Sequence, residues 1–161
     1  MDRVFALPDL SPMSSYDGTE NQHRSFDELR RLLLERFAAR ARRINLRTAT
    51  FPHFRVHCLK HDLEVLLLAV PELLRQRLRT PDTLRDHWRM PIEDENDRTP
   101  PKRIIERLFD RYRKKPGYVA TIDAPWILQR AELDRVTAAC PQRFQPFVEE
   151  LRTLADGGTL T

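Results

Sequence analysis

Three sets of side chains carry functional groups at spacings that chemistry can use. Asp9 follows the apolar run Val4-Phe5-Ala6-Leu7 and Pro8, and a carboxylate just past a strand is where α/β folds place metal or ligand contacts. Asp equally suits an ordinary turn, so both readings stand. His61 and Glu64 lie three residues apart and share one face if the segment is helical. Such a couple can ligate a divalent metal or move a proton. The competing reading is a carboxylate favoured by a helix dipole beside a half-buried imidazole. Lys102 and Arg103 follow Pro100-Pro101 at the start of a helical pattern, where side-chain cations and first-turn N–H groups both favour a phosphate.

Other constellations are weaker. His53, His57, Cys58 and His61 hold zinc-type donors within a short stretch, but strand alternation sends Cys58 to the face opposite His53 and His57, against a single tetrahedral site. Asp17-Gly18-Thr19-Glu20 lacks a preceding strand and reads as loop. No Gly-rich phosphate loop, nucleophile elbow or protease-type Cys–His pairing is present.

The elements that must position these residues follow from pattern. Val4–Leu7 reads as a buried strand, and the polar stretch 11–24 as a loop. Ser25 and Glu28 form a capping box before Phe26, Leu29, Leu33, Phe37 and Ala41, predicting a helix from Phe26 to Arg43. Phe54, Val56 and Cys58 alternate with Arg55 and His57, predicting a second strand to Leu59 or Lys60. The intervening helix has crossover length, so the two strands are expected side by side in one sheet, with Asp9 and His61 approaching each other.

From His61 the pattern turns helical. Pro71–Leu78 and Pro81–Trp88 read as short helices, and Met90–Pro101 as an unpatterned loop. Lys102 to Lys114 is the clearest amphipathic helix, with Ile104, Ile105, Leu108, Phe109 and Tyr112 on one face. Two more helices are predicted, Glu132–Ala139 and Gln142–Ala155, the latter packing on the Ile104–Tyr112 face. The expectation is one α/β domain over 1–161, with a small sheet in 1–70 and a helical part in 71–158.

Composition narrows the function classes. The chain has 161 residues, 40% hydrophobic and 32% charged, which excludes low complexity and disorder. Its two cysteines build no disulfide framework, which fits a reducing, cytoplasmic setting. Val65–Val70, the longest aliphatic run, is far short of the roughly 20 residues of a membrane span. The net charge of +4 comes from 24 Arg and 4 Lys against 24 acids. Between Arg98 and Lys115 eight basic residues face only Glu106 and Asp110, a density suited to a polyanion.

Three blocks in order, His61-Asp62-Leu63-Glu64-Val65-Leu66-Leu67-Leu68-Ala69 through Glu72, Pro100-Pro101-Lys102-Arg103-Ile104, and Cys140-Pro141-Gln142-Arg143-Phe144, together resemble the bacterial domain-of-unknown-function family 4276. That family is related to the TOPRIM metal-dependent domain and is often encoded beside an AAA-type ATPase. In the first block Asp62 replaces the family's first acid, and in the second Pro101 replaces its Ser. The resemblance implies a TOPRIM-like sheet and a nuclease-like subunit of a defence or mobile-element system, working on DNA or RNA with an ATPase or other protein partner. It implies Mg²⁺ or Mn²⁺ held by Asp9 and Glu64, His61 ligating or assisting proton transfer, and Lys102 and Arg103 gripping phosphate. The family's earlier strand, ending in Glu, has no counterpart before Val4. The expectation is therefore a truncated or divergent chain, or a strand supplied by a partner. The alternative function is a non-catalytic binding or assembly subunit that keeps the scaffold.

Overall fold

The computed structural model describes residues 3–10, 25–45, 54–60, 62–97, 99–113 and 115–158. His53, His61 and the Asp17–Glu20 turn lie outside them. The chain forms two compact units, Met1–Leu59 and Lys60–Thr161, and is mixed α/β.

In the first unit, strand β1 (Val4–Ala6) pairs in parallel with β2 (Phe54–Val56), in the register Val4↔Phe54, Phe5↔Arg55 and Ala6↔Val56. The pairing continues beyond both strands: His57 N–H donates to Ala6 O at 2.9 Å, Leu59 N–H to Pro8 O at 3.0 Å and Leu10 N–H to Leu59 O at 3.0 Å. Helix α1 (Phe26–Arg43) makes the crossover. Its start is fixed by Ser25 Oγ, which accepts the Glu28 N–H at 3.2 Å, and its last turn carries Arg40, Arg42 and Arg43 where the dipole favours cations. Asn45, at φ 53°, turns the chain out of the helix. Leu29, Leu10 and Cys58 form the core, with Phe26 and Leu33 against it, and Phe37 stacks on Phe54 at 4.4 Å between centroids. The expected neighbouring strands are thus present and parallel.

The second unit is helical. Its centre is α2 (Val65–Leu68), a single turn with every residue buried. Around it lie α3 (Pro71–Leu78), α4 (Pro101–Tyr112) and α5 (Ala120–Leu128), each in contact with α2. Pro at the first position starts α3 and α4, where its missing N–H costs nothing. Arg79, left-handed at φ 55°, ends α3. Helices α6 (Leu133–Ala139) and α7 (Phe144–Ala155) complete the unit.

Four expectations are corrected here. The helix predicted from His61 begins only at Val65; Asp62 to Glu64 form a turn because their carboxylates are drawn to partners elsewhere in the unit. Pro81–Trp88 is not an α-helix: Thr80 Oγ1 accepts the Asp82 N–H at 3.2 Å, and only Arg85–His87 makes a 3₁₀ turn between buried Leu84 and Trp88. The segment read as an unpatterned loop holds a 3₁₀ stretch, Ile92–Asp97, with Ile92 and Glu93 buried. Helix α7 packs principally on α6, its neighbour across a four-residue connection, whereas the apolar face of α4 is covered by α2 and α3. The sequence pattern predicts no helix where α5 lies.

Candidate functional site

Asp9 sits where the sequence puts it, at the carboxyl end of β1. It forms a parallel bridge with Leu59 and is half-buried, in a stretch of backbone held on both sides by the ladder bonds of Pro8 and Leu10. Asp9 belongs to the N-terminal unit, and Glu64, Lys102 and Arg103 to the C-terminal one.

Within the C-terminal unit the first two motif blocks meet. Asp62 Oδ2 accepts the backbone N–H of Lys102 at 3.3 Å, so the carboxylate caps the start of α4. The N–H of Arg103 is also taken, by Pro100 O at 2.8 Å. The first-turn amides expected to receive a phosphate thus already have acceptors within the chain. The Arg103 guanidinium pairs with Glu106 at 2.9 Å on the exposed face, and Lys102 is half-buried.

Glu64 is 5% exposed, and its Oε1 accepts the Tyr118 hydroxyl at 3.1 Å. The Tyr118 ring tilts against Phe109, 5.2 Å between centroids. Burial, with the Glu64 carboxylate next to it, raises the phenol far above its usual range, so Tyr118 stays a donor. Among the described residues no group of three His, Cys, Asp or Glu side chains gathers to hold a metal. Of the four zinc-type donors, His53 and His61 lie outside the described residues; Cys58 is in the core, while half-buried His57 stacks against Phe5 at 6.0 Å.

Two buried carboxylates that the sequence reading did not single out organise the rest of the unit. Glu93, 1% exposed, accepts the N–H of Gln142 on Oε2 at 2.6 Å and of Arg143 on Oε1 at 2.9 Å. It therefore caps α7 from a distant segment and explains the third motif block. In that block Cys140 is fully buried, and burial, together with the Glu93 charge, pushes its thiol up to about 12. Beside Glu93, exposed Asp94 accepts from Gln142 Nε2 at 2.7 Å and Lys60 Nζ at 3.2 Å, which lowers its carboxyl below the usual value.

Asp123, on α5, is fully buried. Its Oδ1 accepts Arg77 Nε at 2.7 Å and Arg113 Nη1 at 2.8 Å, and Oδ2 takes the Val119 N–H at 2.7 Å. Arg77 also lies 5.2 Å from the Trp126 ring centroid and Arg113 5.7 Å from that of Phe109. Of this cluster the basic stretch of the sequence shows only Arg113; Asp123 lies on α5, which has no N-capping side chain and carries an internal Pro125.

The sequence matches the family described as "Domain of unknown function (DUF4276)" over residues 2–152. No curated protein and no solved structure matches the chain.

Proposed function

The chain belongs to the DUF4276 family, and from that premise we propose a TOPRIM-related, nuclease-like subunit that acts on phosphodiesters together with a protein partner, an AAA-type ATPase or another subunit, in a bacterial defence or mobile-element system. The observation that carries this reading is the parallel β1–α1–β2 crossover that ends its first strand near Asp9, the position where α/β folds gather ligands. A divalent ion would polarise a phosphoryl oxygen or activate a water there. The described residues do not assemble a complete set of ligands for it, and one oxygen of Glu64 already has a protein donor, so the reading rests on the scaffold and Asp9. No helix among the described residues is long and apolar enough to cross a membrane.

A second reading, a binding or assembly subunit without catalysis, is favoured by a specific observation. Asp62 and Glu64, the first two acids of the first motif block, serve the fold by capping α4 and binding Tyr118. One experiment separates the two: incubation of labelled single- and double-stranded DNA and RNA with Mn²⁺ and the protein encoded beside this one. The first reading expects cleavage that EDTA stops and Asp9→Ala abolishes. Retention of nucleic acid without cleavage, unchanged in Asp9→Ala, would overturn it in favour of the second.

A further inference from the structure

A cavity of about 280 Å³ opens between the end of α3 and the segment after α4, lined by Arg77, Leu78, Arg79, Arg113, Lys115 and Pro116. Four of these six residues are cations, and among the described residues the only carboxylate joined to them is Asp123, paired with Arg77 and Arg113. We propose that this cavity is a phosphate-binding site, distinct from Lys102 and Arg103, that takes the phosphate group of either a nucleic-acid backbone or a free phosphorylated molecule.

The geometry separates two roles. Arg77 and Arg113 are the fixed pair. Their side chains are 19% and 29% exposed and are held by the same Asp123 oxygen at 2.6 and 2.8 Å, and each also rests near an aromatic ring. Little side-chain entropy remains to be lost when they meet a ligand. Asp123 uses Nε and Nη2 of Arg77 and Nη1 of Arg113; the other donors of both forks have no acceptor among the described residues. Arg79 and Lys115 are the open pair. Both are exposed, and neither has an ion-pair partner among the described residues. The left-handed backbone of Arg79 places this charge at the turn that leaves α3.

Four cations around one buried carboxylate leave an excess of positive charge in a partly enclosed space, where low dielectric strengthens it. Several N–H donors spread over three arginines and a lysine suit the tetrahedral oxygens of phosphate. The inference does not depend on cleavage, and it holds if the protein only binds.

The test uses the full chain at low salt, with sodium pyrophosphate and a fluorescent single-stranded oligonucleotide as probes, in the wild type and in Arg79→Ala/Lys115→Ala. Neither substituted side chain makes a hydrogen bond or ion pair among the described residues, and circular dichroism checks that the variant is folded. Loss of affinity by about tenfold or more is expected, with recovery in Arg79→Lys/Lys115→Arg, which keeps both charges. Pyrophosphate binding that depends on the pair identifies a free phosphate group as the ligand. Oligonucleotide binding alone, with a log–log salt slope lowered by about two in the double alanine variant, identifies the backbone. If neither probe binds the wild type, or both bind the double variant with unchanged affinity, the proposal fails. The cleavage assay with Asp9→Ala is independent of either outcome.

Discussion

Asp123 and Glu93 are both carboxylates buried in the helical unit, and they are compensated in opposite ways. Asp123 is neutralised by two guanidinium groups and one amide. Glu93 accepts two backbone N–H groups at the start of α7, where partial charge on the helix end replaces a formal cation. The difference lies in what is left over. Around Glu93 the charge is spent on holding a helix in place, whereas around Asp123 the arginines exceed the acid and a positive cavity remains. A buried acid by itself therefore says little about function; the balance of charge around it says more.

The sharpest way to break the comparison is to remove each acid. Asp123→Ala strands two arginines and frees the Val119 amide, with an expected loss of about 3–5 kcal/mol in urea unfolding. Glu93→Gln keeps the shape but discards the charge and leaves one amide poorly paired, so a smaller loss of about 1.5–3 kcal/mol is expected. Equal losses in the two variants would remove the distinction between them. Tyr118→Phe deletes the hydroxyl on Glu64, an expected cost of about 1 kcal/mol in the same measurement.

Cys140 reports on the Glu93 side without mutation. Its folded-state thiol lies near 12 against an unfolded value of 9.0, so its stabilising contribution is complete below about pH 9 and is lost as pH rises toward 12. Iodoacetamide at pH 8 should leave Cys140 unmodified in the folded protein and alkylate it in urea; rapid native labelling would show that the α7 cap opens readily. The smallest effect belongs to Asp94. Its carboxyl is lowered in the fold, so its contribution is present above its unfolded value, near 3.8, and fades as pH falls through the folded one. Because Asp94 is half exposed, Asp94→Asn should change the acid limb of a Tm-against-pH curve only slightly.

What the sequence revealed was local. Helix α1 could be read because the Ser25–Glu28 capping box and the Phe26–Ala41 stripe are contiguous signals. The paired strands could be read because each is a short apolar run with a crossover between them. The buried acids could not, because each depends on a remote partner: Asp123 meets Arg77 from 46 positions away and Glu93 meets Gln142 and Arg143 from 49 and 50. Helix α7 starts at Phe144, two residues after the expected Gln142, and Glu93 takes the amides of Gln142 and Arg143 just before it. Helix α5 escaped because Pro125 lies inside it and its apolar residues form no stripe. At the candidate site, Asp9 follows from strand and Pro alone, whereas the face expected to join His61 and Glu64 needs a helix that starts only at Val65, and Glu64 instead accepts the Tyr118 hydroxyl.

Arg79 closes α3 in a left-handed conformation that costs a side-chain-bearing residue roughly 1–2 kcal/mol and costs glycine almost nothing. Glycine there would ease the backbone while deleting a charge from the cavity beside it. Stability and anion affinity are thus set against each other at a single position. A library selected only for heat resistance would be drawn toward glycine at 79, and one selected for retention on a phosphate matrix would hold on to arginine.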